Sequence, residues 1–404
     1  IGCHVLISGQ ALCDRLYCTL IEGVNLSCRT IVVRGPRKGK GHPMEPHDFW
    51  NLAGRAGRWG DEFQGNIICI EPTNEKAWPT GVPKRSRYPI KRETDVVMAD
   101  VSGLVAYLDS RASVEMNEIK DAAQFEQVSA FLINTFTRTG SLSKAGLSKR
   151  HDQETIKSLD EKLSILAGSL KIPEEIAIRH PGVNPIGLQR LLESFQDYKL
   201  DVENLVPAPS ESTDAYDRFV SVMRRINKSV FPAFTPDGIV PLHALVVVEW
   251  LKGLSLAFII RQRIDYQVRH DRPYKLAQLI RETMEMVETV ARFKAPKYIS
   301  AYVDVLNFHL NSIGRDDLID EDLDIGVALE FGVSSQTLLS LMELGLSRMP
   351  AVELYEKIAN DGLDKDGCVE WIQVHGPEFE GMDIPNLIVR EVLEKVPLSE
   401  PEED

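Results

Sequence analysis

Residues 51–58 read NLAGRAGR, and the run lies between two short β-branched stretches, Arg29–Arg34 (RTIVVR) and Gly65–Ile70 (GNIICI). The residues leading into it, Glu45–Arg55, have helical spacing and open on Pro46, whose missing N–H costs nothing in the first turn of a helix. Strand, helix, strand is the rhythm of a parallel α/β sheet with a crossover. Arg55 and Arg58 stand three apart, interleaved with Gly54 and Gly57. Glycine lets a ligand approach the backbone, and the arginine fork matches phosphate oxygens. Paired arginines beside a strand end suit a nucleotide γ-phosphate, where charge develops during transfer. A solvated surface turn carrying two arginines is the competing reading.

A second run precedes the first strand: Thr19–Leu26 reads TLIEGVNL. This run resembles motif V of superfamily 2 helicases, and NLAGRAGR resembles motif VI. The EGVN and GRAGR cores, their order and the strand between them resemble the DExH-box branch, similar to superkiller-type antiviral helicases. The motifs cover residues 19–70 directly. The resemblance implies that Arg58 is the arginine finger reaching the γ-phosphate of ATP and Arg55 its companion, with Gly54 and Gly57 shaping the turn. It implies that Thr19, Glu22, Gly23 and Asn25 link the nucleic-acid groove to the nucleotide. Asn51 stands where the family usually has glutamine, one methylene longer in its reach.

A complete enzyme of this kind needs a phosphate-cradling GxxxxGK[ST] loop and a DExH run. The run Gly35-Pro36-Arg37-Lys38-Gly39-Lys40-Gly41 is one residue short in spacing, has Gly41 in place of the metal-binding hydroxyl, and follows motif V. It reads as a basic connecting loop in which Arg37, Lys38 and Lys40 can touch a nucleic-acid backbone. Asp61-Glu62-Phe63-Gln64 begins like a DExH run but ends in glutamine and follows motif VI. The expectation is therefore a C-terminal portion, with ATP and Mg2+ held mainly by a first RecA-like domain that this chain lacks. The partners expected are single-stranded RNA or DNA and, for a split enzyme, a separate first RecA-like domain.

Composition agrees with a globular protein and excludes some classes. The chain has 404 residues, 43% hydrophobic and 26% charged, with a net charge of −14. That is ordinary globular composition and excludes a stand-alone polybasic nucleic-acid binder. Charge is uneven: residues 1–94 hold 14 Lys and Arg against 9 Asp and Glu, whereas residues 361–404 hold 3 against 13. The basic front permits phosphate contacts. The most apolar run, Leu245–Ile260, carries Glu249 and Lys252, which argues for a buried helix and not a membrane span. Five of the six cysteines lie in the first 70 residues, with no CxxC or HxxxH pair and no secretory signal at the start. Together these point to a reducing, cytoplasmic compartment and no metal site.

The expected fold is α/β plus α, a partial RecA-like helicase C-terminal domain followed by a mostly α-helical bundle. The divisions are 1–75 for the RecA-like part, 76–94 for a basic Pro-rich linker, and 95–235 for a helical region, winged-helix-like in part. A helical bundle over 236–320, a helix-hairpin-like region over 321–395 and an acidic tail over 396–404 follow. Helical spacing runs unbroken from Pro241 to Arg269, and the resemblance allows this helix, with Arg261 and Arg263, to guide a strand. A core helix with a solvated basic end is the plainer reading. The function expected is the arginine-finger side of an ATP-dependent RNA or DNA helicase, inactive alone. The alternative is a non-enzymatic helical interaction or nucleic-acid-binding module, or one half of a split helicase.

Overall fold

The computed structural model describes residues 5–7, 10–12, 30–35, 44–54, 56, 65–84, 92–112, 122–319 and 325–398. The chain divides into two compact units, Ile1–Lys91 and Arg92–Asp404.

The described residues of the front unit form two small sheets. Strands β1 (Val5–Ile7) and β2 (Gln10–Leu12) pair antiparallel. Strands β3 (Thr30–Arg34) and β4 (Asn66–Ile70) pair parallel, with Thr30 opposite Asn66 and Arg34 opposite Ile70. Between β3 and β4 the chain passes through helix α1 (Pro46–Ala53), whose second residue is His47 and whose first is the expected proline. β3 alternates, burying Ile31 and Val33 on the face that meets Phe49, Leu52 and Ala53 of α1. Trp78 closes this core. Its ring packs edge-on against Phe49 and its Nε1–H donates to the Ile70 carbonyl at 2.9 Å. The stretch read as the start of a linker thus begins with a core residue. Burying each large apolar side chain here contributes about 1.5–3 kcal/mol. β4 is different: Ile67, Ile68 and Ile70 are 37%, 50% and 36% exposed.

The second unit is helical throughout its described residues. Helices α2 (Glu93–Met98), α3 (Val101–Ala112), α4 (Ala122–Thr139) and α5 (Gln153–Ser169) enclose one core around Leu104, Leu108, Leu132, Leu159 and Leu163. Helices α6 (Glu174–Arg179), α7 (Pro185–Gln196), α8 (Ala215–Ser229), α9 (Val240–Leu251), α10 (Leu256–Arg269), α11 (Leu276–Met286), α12 (Ala295–Ser312) and α13 (Ile325–Phe331) follow. Most of them bury one large core that includes Phe195, Phe219, Phe234 and Tyr302. A π-helical stretch, Val287–Lys294, joins α11 to α12. Helices α14 (Gln336–Glu343), α15 (Arg348–Ile358), α16 (Lys365–His375) and α17 (Asn386–Lys395) form a third core around Leu341, Leu354, Ile372 and Val392.

The Pro241–Arg269 expectation is corrected here: one helix becomes two. Gly253 adopts φ +75°, a left-handed conformation natural to glycine. Ser255 then caps α10, its Oγ accepting from the Phe258 N–H at 3.2 Å.

Among the described residues, a buried polar cluster and a half-buried one tie helices of the unit together. Arg111, 1% exposed, donates to both Glu126 oxygens at 2.9 and 2.7 Å and to the Ser229 carbonyl at 3.3 Å. Tyr107 and Asn184 also donate to Glu126. α3, α4 and the cap of α7 thus meet at one carboxylate, and α8 joins them through the Arg111 guanidinium. Farther on, Arg348 of α15 lies 4.0 Å over the Trp250 ring and donates to the carbonyls of Trp250, Leu254 and Gly332. Gly332 holds φ +72°, and a Cβ there would fall 2.1 Å from Trp250 Cε2. Burial, with Arg292 nearby, pulls the Arg348 guanidinium down to about 10.

Candidate functional site

The parallel pair fixes the frame of the front site. Thr30 lies opposite Asn66, so the chain enters both strands at one edge of the sheet. The TLIEGVNL run leads into β3 and the NLAGRAGR run leads into β4. α1 buries Asp48, Phe49, Leu52 and Ala53 and leaves Asn51 and Gly54 exposed at its last turn. The Gly54 N–H donates to the Trp50 carbonyl at 2.8 Å, and a Cβ on Gly54 would stand 3.1 Å from that oxygen. The Ala56 N–H donates to the Ala53 carbonyl at 3.1 Å, which turns the chain out of the helix. The helix thus presents Asn51 and Gly54 outward while its opposite face packs on β3. Arg55, Gly57 and Arg58 lie outside the described residues, as do Thr19, Glu22, Gly23, Asn25, Arg37, Lys38 and Lys40.

Among the described residues of the second unit, Arg261 and Arg263 both lie on α10. Arg261 is exposed and Arg263 is half-buried. Burial holds the Arg263 guanidinium below its ordinary pKa, against the pull of Glu282 and Glu249. Glu249, on α9, is itself pushed up to about 7 by burial, with Lys252 and Arg263 opposing the shift. α10 and α11 pack together as a hairpin whose outer surface carries Tyr266, His270, Arg272 and Tyr274. These aromatic and basic residues went unnoticed in the sequence reading. The signal was there in the fifteen residues RQRIDYQVRHDRPYK, where aromatic rings and cations alternate.

The helix-hairpin-like turn at Gly345 has φ +92° and connects α14 to α15, as its spacing suggests. The Gly345 N–H donates to the Met342 carbonyl at 2.9 Å. The Ser347 N–H donates to Glu391 Oε1 at 2.8 Å, and this bond holds the Glu391 carboxyl below its ordinary range. A cavity of about 1250 Å³ lies beside this module, lined by groups that include Glu211, Lys252 and Asp361. Asp361 accepts from the Tyr355 hydroxyl there. Among the described residues, no three His, Cys, Asp or Glu side chains come together as a metal site. No single helix among them is long and apolar enough to cross a membrane.

No family model matches the chain. Over 345 residues it is 21% identical to Anti-bacteriophage protein B of Escherichia coli (strain K12), an alignment covering 81% of this chain and 40% of that protein. Over 60 residues it is 37% identical to the Hachiman protein HamB of Bacillus cereus, covering 15% of this chain and 5% of that protein. The chain thus spans two-fifths or less of the length of these curated relatives, and it is similar in part to proteins of anti-phage defence.

Proposed function

We propose that this chain supplies the C-terminal, arginine-finger side of an ATP-dependent nucleic-acid helicase that acts in defence against bacteriophage. The observation that carries the reading is the β3–α1–β4 crossover. Its register brings the entries to both strands to one sheet edge, and the motif V-like and motif VI-like runs are the segments that lead into those entries. Exposure of Asn51 and Gly54 at the end of α1 suits the start of a nucleotide-facing loop. The bare apolar face of β4 adds support, because parallel strands are ordinarily covered on both faces. Similarity to Anti-bacteriophage protein B supports the defence role.

In this reading ATP and Mg2+ are held mainly by a first RecA-like domain. Arg58 and Arg55 reach the γ-phosphate from this side, where fixed cations stabilise the charge that develops on transfer. Thr19, Glu22, Gly23 and Asn25 couple closure of the cleft to the strand, and Arg37, Lys38 and Lys40 lie along its backbone. No residue of this chain is assigned to the magnesium ion.

The test is ATP turnover with and without single-stranded RNA and DNA, by this chain and by the longer protein encoded with its upstream sequence. The chain alone is expected to be silent. The longer protein is expected to turn over and to lose roughly 10³-fold or more in Arg58→Ala. Strand-stimulated turnover by this chain alone would show that it holds a whole nucleotide site. Full turnover in the Arg58→Ala longer protein would remove the arginine finger. An upstream sequence without GxxxxGK[ST] and DExH would favour the helical interaction module instead.

A further inference from the structure

The helical unit has a seam between two of its cores. One side is the core that includes Phe219 and Tyr302, and the other is the core of α14 to α17. At one end of the seam the Arg348 guanidinium ties the sides together through the carbonyls of Trp250, Leu254 and Gly332. Leu251 and Lys252, the next residues after Trp250, already line the cavity of about 1250 Å³ where the sides part. Protein interiors leave few voids larger than a water molecule, so an opening of this size is not ordinary packing. Small-molecule sites run from about 300 to 1,000 Å³ and favour such seams. One wall is the run Val206-Pro207-Ala208-Pro209-Ser210-Glu211, in which two prolines fix the backbone. A wall ordered in advance costs a ligand less to use.

The lining divides by chemistry. Val206, Ala208, Val303, Leu318 and Ile325 supply apolar surface and are each only half-buried, so area remains for a ligand to cover. The polar groups gather at Tyr355. Its hydroxyl donates to Asp361, and the Ser335 hydroxyl is a further partner. Glu211, from the proline-bearing wall, lies near enough to act on the same phenol. The Asp361 bond, burial and the Glu211 charge together push that phenol above its ordinary pKa. Neither carboxylate forms an ion pair with a described residue, and Glu211 accepts only from the neighbouring Ser210 hydroxyl among them, at 3.4 Å. Lys252 also lines the cavity, and its charge acts on Glu249 as well. Two carboxylates less one ammonium leave the site one negative charge.

We infer that this cavity is a binding site for a small organic cation, a primary ammonium on an apolar body. Glu211 and Asp361 flank the ammonium, the Tyr355 ring adds a π face to its charge, and the apolar walls take the body. A bare metal ion gains nothing from those walls, and among the described residues no third His, Cys, Asp or Glu joins the two carboxylates as a metal site. An anion meets a net negative rim. An uncharged ligand displaces water from two carboxylates and gives nothing in return. The walls come from the 206–211 run, from α12 at Val303, α13 at Ile325 and α15 at Tyr355, so one ligand bridges both sides of the seam. Binding therefore stabilises the folded chain. The site shares no residue with the arginine-finger side and is independent of the helicase reading.

The experiment uses one fluorescent body with three charges: anthracenylmethylamine, anthracenylmethanol and anthracenecarboxylate, each titrated with the full chain and read by fluorescence anisotropy. The amine is expected to bind roughly fivefold more tightly than the alcohol, the span of one or two exposed ion pairs, with the carboxylate weakest. Glu211→Gln together with Asp361→Asn is expected to bring amine and alcohol to the same affinity, since each amide keeps an acceptor for its neighbours and loses the charge. Ala208→Trp, on the proline-bearing wall, is expected to occupy part of the cavity and weaken the amine roughly tenfold. Thermal melting checks the fold of each variant, and the amine should raise the melting temperature of the parent but not of Ala208→Trp. Equal binding of amine and alcohol by the parent overturns the cation assignment. Parental affinity for the amine in Ala208→Trp, or no binding of any probe by the parent, overturns the cavity as a site. None of these outcomes touches the arginine-finger reading, which is judged by turnover in Arg58→Ala.

Discussion

The front unit and the helical unit divide chemistry and packing between them. In the front unit a small core of Ile31, Val33, Met44, Phe49, Leu52, Ala53 and Trp78 supports one strand face, and the isoleucines of β4 remain open. The described residues of the second unit enclose three apolar cores and tie them with polar clusters, the buried pair of Glu126 with Arg111 and the half-buried contact of Arg348 with Trp250. The sequence patterns that resemble catalysis are thus carried by the thinner scaffold. The thick scaffold offers stiffness and, at the α10–α11 hairpin, a basic aromatic surface.

The largest expected effect sharpens this contrast on the packed side. Glu126→Ala leaves Arg111 buried without its carboxylate, and breaking a buried pair in that way costs about 3–5 kcal/mol. Denaturant unfolding followed by far-ultraviolet dichroism should show the loss, because the helical unit dominates that signal. The Arg111→Met, Glu126→Leu double variant should recover most of it, since apolar groups of similar size can replace a buried pair at little net cost. If Glu126→Ala unfolds like the parent, the cluster is not what joins α3, α4, α7 and α8.

How far the sequence foretold this architecture differs by feature. The helical course from residue 94 onward was legible because apolar residues recur at helical spacing between clear breakers. The β3–α1–β4 alternation was legible for a similar reason, since RTIVVR and GNIICI are short and β-branched. The break at Lys252–Ser255 was not taken from the sequence, although Gly253 followed by a capping serine is a stop-and-start signal. The apolar run across it masked the punctuation. The Glu126 cluster was out of reach altogether: Arg111, Glu126 and Asn184 converge only through tertiary packing, and nothing in their spacing announces it. Of the candidate site, Asn51, Gly54, Arg261 and Arg263 fall within the described residues. The cavity beside Asp361 needed the fold, because its lining comes from several helices and the loops between them.

An intermediate effect concerns protons on the apolar helix α9. Glu249 titrates near 7 when folded, against 4.5 for the ordinary carboxyl, because burial penalises its charge. The folded state therefore binds more protons than the unfolded state between those values. Stability from this group is present at low pH and declines as pH rises from about 4.5 to about 7. His243 on the same helix acts with the opposite sign. Burial, helped by Lys294, lowers it from 6.5 to about 4, so its contribution is lost as pH falls through that interval. The two slopes oppose each other in mildly acid solution and hide one another in the parent protein. Glu249→Gln should uncover a midpoint that rises from pH 4.5 to 6.5, and His243→Gln one that falls. Parallel slopes in both variants would mean that neither group carries the titration.

The smallest effect tests the open side of the comparison. Ile68 is half exposed on β4, and Thr keeps the β-branch that suits a strand while removing apolar surface. In this chain Ile68→Thr should change stability by about 0.5 kcal/mol or less, the ordinary result for an exposed substitution. In the longer protein the same change should cost about 1–3 kcal/mol, because covering that face withdraws the isoleucine from water and a buried hydroxyl then needs a partner. Unfolding midpoints of the two proteins, each with and without the substitution, give the difference directly. Equal small costs in both would mean that β4 stays bare, and the front sheet would then be a finished two-stranded unit with no face awaiting cover. A larger cost in the longer protein would mark Ile68 as a residue that is buried there.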